Sequence, residues 1–277
     1  MKKLIFALLL FITSFFILTS LNGCSNDNNP LIPVSTHKGA FVLYEGLFGQ
    51  PQSFDYGFIN LENFTVNTNV FQNSNNGANI NSVPDGMITL GNFLFVTAQG
   101  NFGGQGTIYK IDAVSNSLVN SKNIGLNPYS LAGELNGNLY VTNTAGNYIT
   151  VLDTSFNILQ DNINVGSSPS EIVLYGDYLY IAKQSYTSEY SLAVMNKNSY
   201  NVNKIFFNTP PVCVEKGDNK IFVSTYTGKK IYTVNIQTNT VTDSISLNIS
   251  EPAVGNIVSM NSDFLLVMGV EDTSFAS

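Results

Sequence analysis

Few side chains in this sequence are equipped for chemistry, and their spacing limits what that chemistry can be. His37 is the only histidine, so no imidazole pair can relay a proton and no His-based zinc set can assemble. Cys213 sits in "PPVCVEK", an apolar stretch at the start of an expected strand, where a cysteine serves as a small buried hydrophobe rather than a nucleophile. Carboxylates are more numerous. Asp112 and Asp153 stand where a third strand is expected to close, and Asp177, Asp218 and Asp263 where a second should open. At such positions a carboxylate ties down the backbone of a turn, although acids from separate segments can also converge as a glycosidase-type pair. "GNFGGQG", residues 100–106, precedes no helix and no Lys-Ser or Lys-Thr, so it reads as a connection between strands and not as a phosphate loop. No catalytic residue, metal site or cofactor is assigned.

Binding groups are better supplied. Glu45, Phe48, Asp85, Gln99, Phe102, Tyr129, Asn143, Gln184 and Tyr186 fall in connections between expected strands. Aromatic faces beside amide groups suit a large, flat ligand with a polar edge. Phe48, Phe102, Tyr129 and Tyr186 are expected to stack, Gln99, Asn143 and Gln184 to hydrogen-bond, and Glu45 and Asp85 to meet ligand donors.

The elements that would bring these residues together repeat along the chain. "NLYVTNTAGNYITVLDTS" returns as "FLFVTAQGNFGGQGTIYKIDAVS", "YLYIAKQSYTSEYSLAVMNKNS", "KIFVSTYTGKKIYTVNIQT" and, shorter, "FLLVMGVEDTS". Aligned on Val96, Val141, Ile181, Val223 and Val267, the units recur every 40 to 45 residues. One unit shows four short strands, "EIVLY" (171–175), "YLYIA" (178–182), "SLAVMN" (191–196) and "VNKIFF" (202–207), separated by turn formers. Four strands per unit with almost no helical periodicity predict an all-β fold, a β-propeller in which each unit is one blade. Pro84, Pro128, Pro169, Pro211 and Pro252 each precede a first strand, where a residue without an N–H costs no ladder bond. The loops after the second strands then share one face with the chain returning to the next blade, which gathers the candidate residues around the axis. The first unit starts at its second strand, "AFVLY", and the last stops after its own, so five blades and the start of a sixth are expected in an open ring.

Composition narrows the partners. Hydrophobic residues make up 44% and charged residues only 11%, so the polar surface is built from Asn, Ser, Thr, Gln and Tyr. A net charge of −7 and the absence of arginine argue against nucleic acid and anionic surfaces. Lys2 and Lys3 precede an apolar run from Leu4 to Leu18, the pattern of a signal peptide and too short for a permanent span. Residues 1–23 are read as that peptide, 24–38 as a lipidated Cys24 and its polar tether, and 39–277 as the propeller repeats.

Two stretches resemble known families. "LYVTNTAGNYITVLDTSFN" is similar to the YVTN-repeat β-propellers, most closely at Leu139 to Asn143, Gly146, Asn147 and Val151 to Thr154. "LNGC" resembles a bacterial lipobox ending in Cys24, and "GAFVLYEGLFGQ" (39–50) resembles the opening of a group of exported propeller lipoproteins of Gram-negative bacteria. The resemblance implies a propeller of normally seven blades on the outer membrane, exposed at the cell surface. It also implies a non-enzymatic binder, some members of the group capturing cobalamin-type corrinoids for an outer-membrane transporter. A corrinoid or a glycan is the expected small-molecule ligand, with a protein-binding or adhesive scaffold and a carboxylate-dependent enzyme acting on glycans as alternatives. Acyl chains contribute about 0.8 kcal/mol per buried methylene. Labelling with a fatty-acid analogue is therefore expected to mark the wild type and to leave Cys24→Ala unmarked.

Overall fold

The computed structural model describes residues 38–47, 50–135, 137–184, 189–249, 253–259 and 265–270. Its first sheet holds β1 (Gly39–Tyr44), β2 (Asp55–Asn60) and β3 (Val66–Asn67). Four sheets of four strands follow. They are β4 (Pro84–Leu90), β5 (Phe93–Ala98), β6 (Gln105–Asp112) and β7 (Leu118–Leu126); then β8 (Pro128–Gly133), β9 (Asn138–Asn143), β10 (Tyr148–Asp153) and β11 (Ile158–Asn164). The next two are β12 (Pro169–Tyr175), β13 (Tyr178–Lys183), β14 (Ser191–Asn196) and β15 (Val202–Phe206), and β16 (Pro211–Gly217), β17 (Lys220–Thr225), β18 (Lys230–Asn235) and β19 (Thr240–Ser246). The sixth sheet pairs β20 (Ala253–Ser259) with β21 (Leu265–Val270). Every pairing is antiparallel between consecutive strands, so each sheet is a meander.

These sheets are the blades of a β-propeller. The inner strands β4, β8, β12, β16 and β20 lie side by side in that order, and β1 packs on β4 as β5 packs on β8. β1 therefore holds the place of a second strand, as its sequence suggests. Among the described residues no pairing joins the first sheet to the last, and the ring is open.

Blades cohere because both faces of the second strands β5, β9, β13 and β17 are buried. In β5, Leu94 packs toward the first blade while Phe95 packs toward the third; Leu139 and Tyr140 in β9, and Leu179 and Tyr180 in β13, divide in the same way. The core is thus a series of layers between blades. Burying an aromatic side chain of this kind contributes about 2 to 3 kcal/mol. Two tyrosines, Tyr56 on β2 and Tyr180 on β13, also reach across to a turn of the following blade: the Tyr56 hydroxyl donates to Asn116 Oδ1 at 3.0 Å, and that of Tyr180 to Asn239 Oδ1 at 2.6 Å.

The outer turns follow one local rule. Asn60, Asp112, Asp153, Asn196 and Asn235 each end a third strand, and each side chain accepts hydrogen bonds from backbone N–H groups two to four residues on. Each turn closes through a residue in the left-handed region, Phe64, Asn116, Phe156, Tyr200 or Asn239. The bonds from Ser115 and Val114 to Asp112, and those from Asn157 and Ser155 to Asp153, hold both carboxyls below the usual range. One element has no counterpart in the repeat: α1 (Val70–Ser74), whose first N–H groups, of Phe71 and Gln72, donate to the Asp55 carboxylate at 2.8 and 3.1 Å.

At the inner strands the ladder is interrupted just past the proline. Register shifts fall between Pro84 and Gly86, Pro128 and Leu131, Pro169 and Ile172, and Pro211 and Cys213. A bulge releases backbone groups that need other partners. The hydroxyl of Thr97 on β5 accepts from the Gly86 N–H at 3.1 Å and donates to the Tyr129 carbonyl of the next blade at 2.6 Å. Thr142 on β9 repeats this, accepting from the Ser130 N–H at 2.9 Å and donating to the Ser170 carbonyl at 2.8 Å. A buried donor left unpaired costs about 1 to 3 kcal/mol. Thr142→Val, nearly isosteric, is expected to lose stability by about that amount in urea unfolding, whereas Thr142→Ser should retain most of it.

Candidate functional site

The inner strands begin on one face of the blades, and that is where ionisable groups meet. Asp85 leads β4, Tyr129 and Ser130 lead β8, and Glu171 lies near the start of β12. Glu45 and Gln99 follow β1 and β5, and Gln184 follows β13. The backbone N–H groups of Gln99, Gln184 and Tyr226 donate to the carbonyls of Val83, Ser168 and Pro210, so each second-strand loop is tied to the chain entering the inner strand of its own blade.

A cavity of about 300 Å³ runs along the inner strands. Its polar lining is Asp85, Ser130, Glu171 and Glu215, and its apolar lining includes Met87, Leu131, Ile172 and Val214. Burial pushes the Asp85 carboxyl up to about 7; a hydrogen bond from the Gln99 side chain opposes this, and the charges of Glu45 and Glu171 add to it. One of its oxygens, Oδ2, is buried with no hydrogen-bond partner among the described residues. Glu171 is likewise raised by burial, against the Ser130 hydroxyl that donates to its Oε2 at 3.1 Å, with Glu215 adding repulsion. Burial, followed by the nearby Glu171 and Asp85 charges, raises the Tyr129 phenol to about 12, and Gln184 Nε2 donates to that hydroxyl at 3.5 Å.

The structure thus brings together Glu45, Asp85, Gln99, Tyr129 and Gln184 of the sequence-derived set. Asn143 lies apart and is fully buried: its Nδ2 donates to Thr150 Oγ1 at 2.9 Å and to the Val141 carbonyl at 3.3 Å, while its Oδ1 crowds the glycine at 125. Phe48 and Tyr186 are outside the described residues, as are the side chain of Phe102 and the segment containing Cys24. Glu171, Ser130 and Glu215 are cavity residues that the sequence reading did not single out. Their signal was available in part, since Ser130 and Glu171 each stand two places after a recurring proline.

Chemically, this lining accepts hydrogen bonds and attracts positive charge. Cys213, which also lines the cavity, is no nucleophile: burial pushes its thiol up to about 12, and it lies 3.8 Å from the Ile257 carbonyl as a weak donor. Among the described residues no three His, Cys, Asp or Glu side chains are grouped to hold a metal ion. A second cleft, of about 200 Å³, opens between the first two blades and is lined by Phe41, Phe58, Asn60 and Asn116 among others. Among the described residues it contains no charged side chain.

No known protein family and no curated protein matches the sequence. Solved structures do match. A streptogramin B lyase superposes with a TM-score of 0.61 at 17% identity, covering 83% of this chain and 80% of that one. A quinonprotein alcohol dehydrogenase-like protein from Bacteroides thetaiotaomicron gives 0.61 at 15% identity, over 86% of this chain and 62% of that one. Hydrazine synthase from Kuenenia stuttgartiensis gives 0.55 at 18% identity, over 63% of this chain, which spans about half (51%) of that one. Proteins of such different activities at such identities share with this chain its architecture alone, and that architecture is the β-propeller.

Proposed function

We propose that this protein is a cell-envelope lipoprotein whose propeller binds a small ligand without transforming it. The observation that carries the reading is the cavity along the inner strands, with Asp85, Glu171 and Ser130 in its wall and Tyr129, Gln99 and Gln184 beside it. Its wall offers acceptors, and its Cys213 thiol and the neighbouring Tyr129 phenol are both held protonated at neutral pH. The lipobox-like "LNGC" and the opening "GAFVLYEG" support an outer-membrane lipoprotein exposed at the surface, passing a captured nutrient such as a corrinoid to a transporter. A corrinoid would meet these side chains through its amide-fringed edge. A raised Asp85 beside Glu171 is also the kind of carboxyl pair that glycan-cleaving enzymes employ, so the test includes turnover.

The purified full-length protein is to be screened against corrinoids, glycans and chromogenic glycosides. Saturable binding without release of chromophore is expected. Truncating Tyr129 and Phe102 together to alanine should weaken that binding by about 2 to 4 kcal/mol, because buried aromatic anchors dominate binding energy. Steady chromophore release abolished by Asp85→Asn would replace this reading with the enzymatic one.

A further inference from the structure

The wall of the inner-strand cavity is one-sided in its electrostatics. Among the described residues, every ionisable side chain in it besides the Cys213 thiol is a carboxyl, and no lysine lines it. The neighbours of Asp85 are of the same kind: Glu45 beyond β1, the neutral Gln99 beyond β5, the protonated Tyr129 on β8 and Glu171 on β12. Glu171 in turn faces Glu215 on β16. Gln99 and Ser130 each supply a hydrogen bond to one of these carboxyls, yet Oδ2 of Asp85 is buried with no donor among the described residues. A buried carboxylate oxygen without a partner is strongly unfavourable unless a proton or a cation reaches it.

We propose that the ligand carries a protonated nitrogen, a primary amine or a comparable organic cation, which enters this cavity and pairs with Asp85 and Glu171. The inference rests on the ligand-binding reading and specifies its substrate class. The volume of about 300 Å³ accommodates an ammonium group with a short aliphatic stem, and Met87, Leu131, Ile172 and Val214 supply the apolar wall for that stem. An organic cation fits better than a calcium ion, which requires six to eight oxygen ligands where this wall presents a few separated carboxyls. The pH dependence follows from the sign of the Asp85 shift. Its carboxyl is neutral below about 7 and ionised above it, so attraction for a cation grows as pH rises through that value.

The test is a fluorescence titration of the full-length protein with dansylcadaverine, its N-acetyl derivative and dansyl-6-aminohexanoic acid. At pH 8 the amine is expected to bind at least tenfold more tightly than either analogue, and to lose at least tenfold at pH 5.5. Asp85→Asn and Glu171→Gln, each checked for its β-sheet circular dichroism, should erase the preference for the amine while leaving the N-acetyl probe unaffected. The pH series on the wild type tests the proposal even if one variant fails to fold. Equal affinity for amine and N-acetyl probes, or an amine preference that survives both substitutions, overturns it. If corrinoids or glycans bind with no amine preference, this inference alone falls. If nothing in either panel binds, the ligand-binding reading falls with it.

Discussion

A threonine hydroxyl that serves two blades at once is the interaction on which this architecture turns. The inner strands β4, β8, β12 and β16 begin with a proline and then bulge, and in β4 and β8 the N–H groups of Gly86 and Ser130 turn to a side chain. Thr97 and Thr142 accept those bonds and spend their own proton on a carbonyl of the next inner strand. The bulge and the spacing between blades are therefore fixed together. The bond is not repeated in every blade: at the same register Ala182 carries no hydroxyl, and there Ser170 of the inner strand donates to the Ala182 carbonyl of its own blade at 3.3 Å.

This constraint shapes the cavity. Thr97 holds the backbone just after Asp85 and the carbonyl of Tyr129, so one side chain positions an acid and its aromatic neighbour. Because the blades are locked side by side, Asp85, Glu171 and Glu215 are kept near one another although like charges repel, and their proximity is sustained by packing in the layers outside them. A scaffold can hold such unfavourable electrostatics only when its core over-determines the geometry, which is how many binding sites are built.

Much of the fold is legible in the sequence because each strand is both short and strongly patterned. The expected strands at 171–175, 178–182, 191–196 and 202–207 correspond to β12, β13, β14 and β15 to within two residues. The turn role of Asp112 and Asp153 is likewise readable, since an acid at the close of a third strand has backbone N–H groups within reach. α1 is not legible: five residues are too few for helical periodicity, and its N-terminal bonds come from Asp55, far away in sequence. The cavity lining is only partly so. Asp85 sits one place after its proline, as does the neighbouring Tyr129, while Ser130 and Glu171 sit two places after theirs, and the bulge breaks the alternation by which inward positions would be counted. Asn143 illustrates the complementary difficulty. A polar residue at the end of a second strand reads as a loop group, whereas its backbone places it inside the blade with Thr150 as its partner.

The most direct measurement of this account is a carbon-13 NMR titration of the Asp85 carboxyl in the wild type and in Thr97→Val. The account predicts a wild-type midpoint near 7, with the variant displaced toward the ordinary carboxylate value of 3.8 as the bulge loosens. A wild-type midpoint already at 3.8 would mean that Asp85 is solvated and that the inner strands do not gather the carboxyls as described.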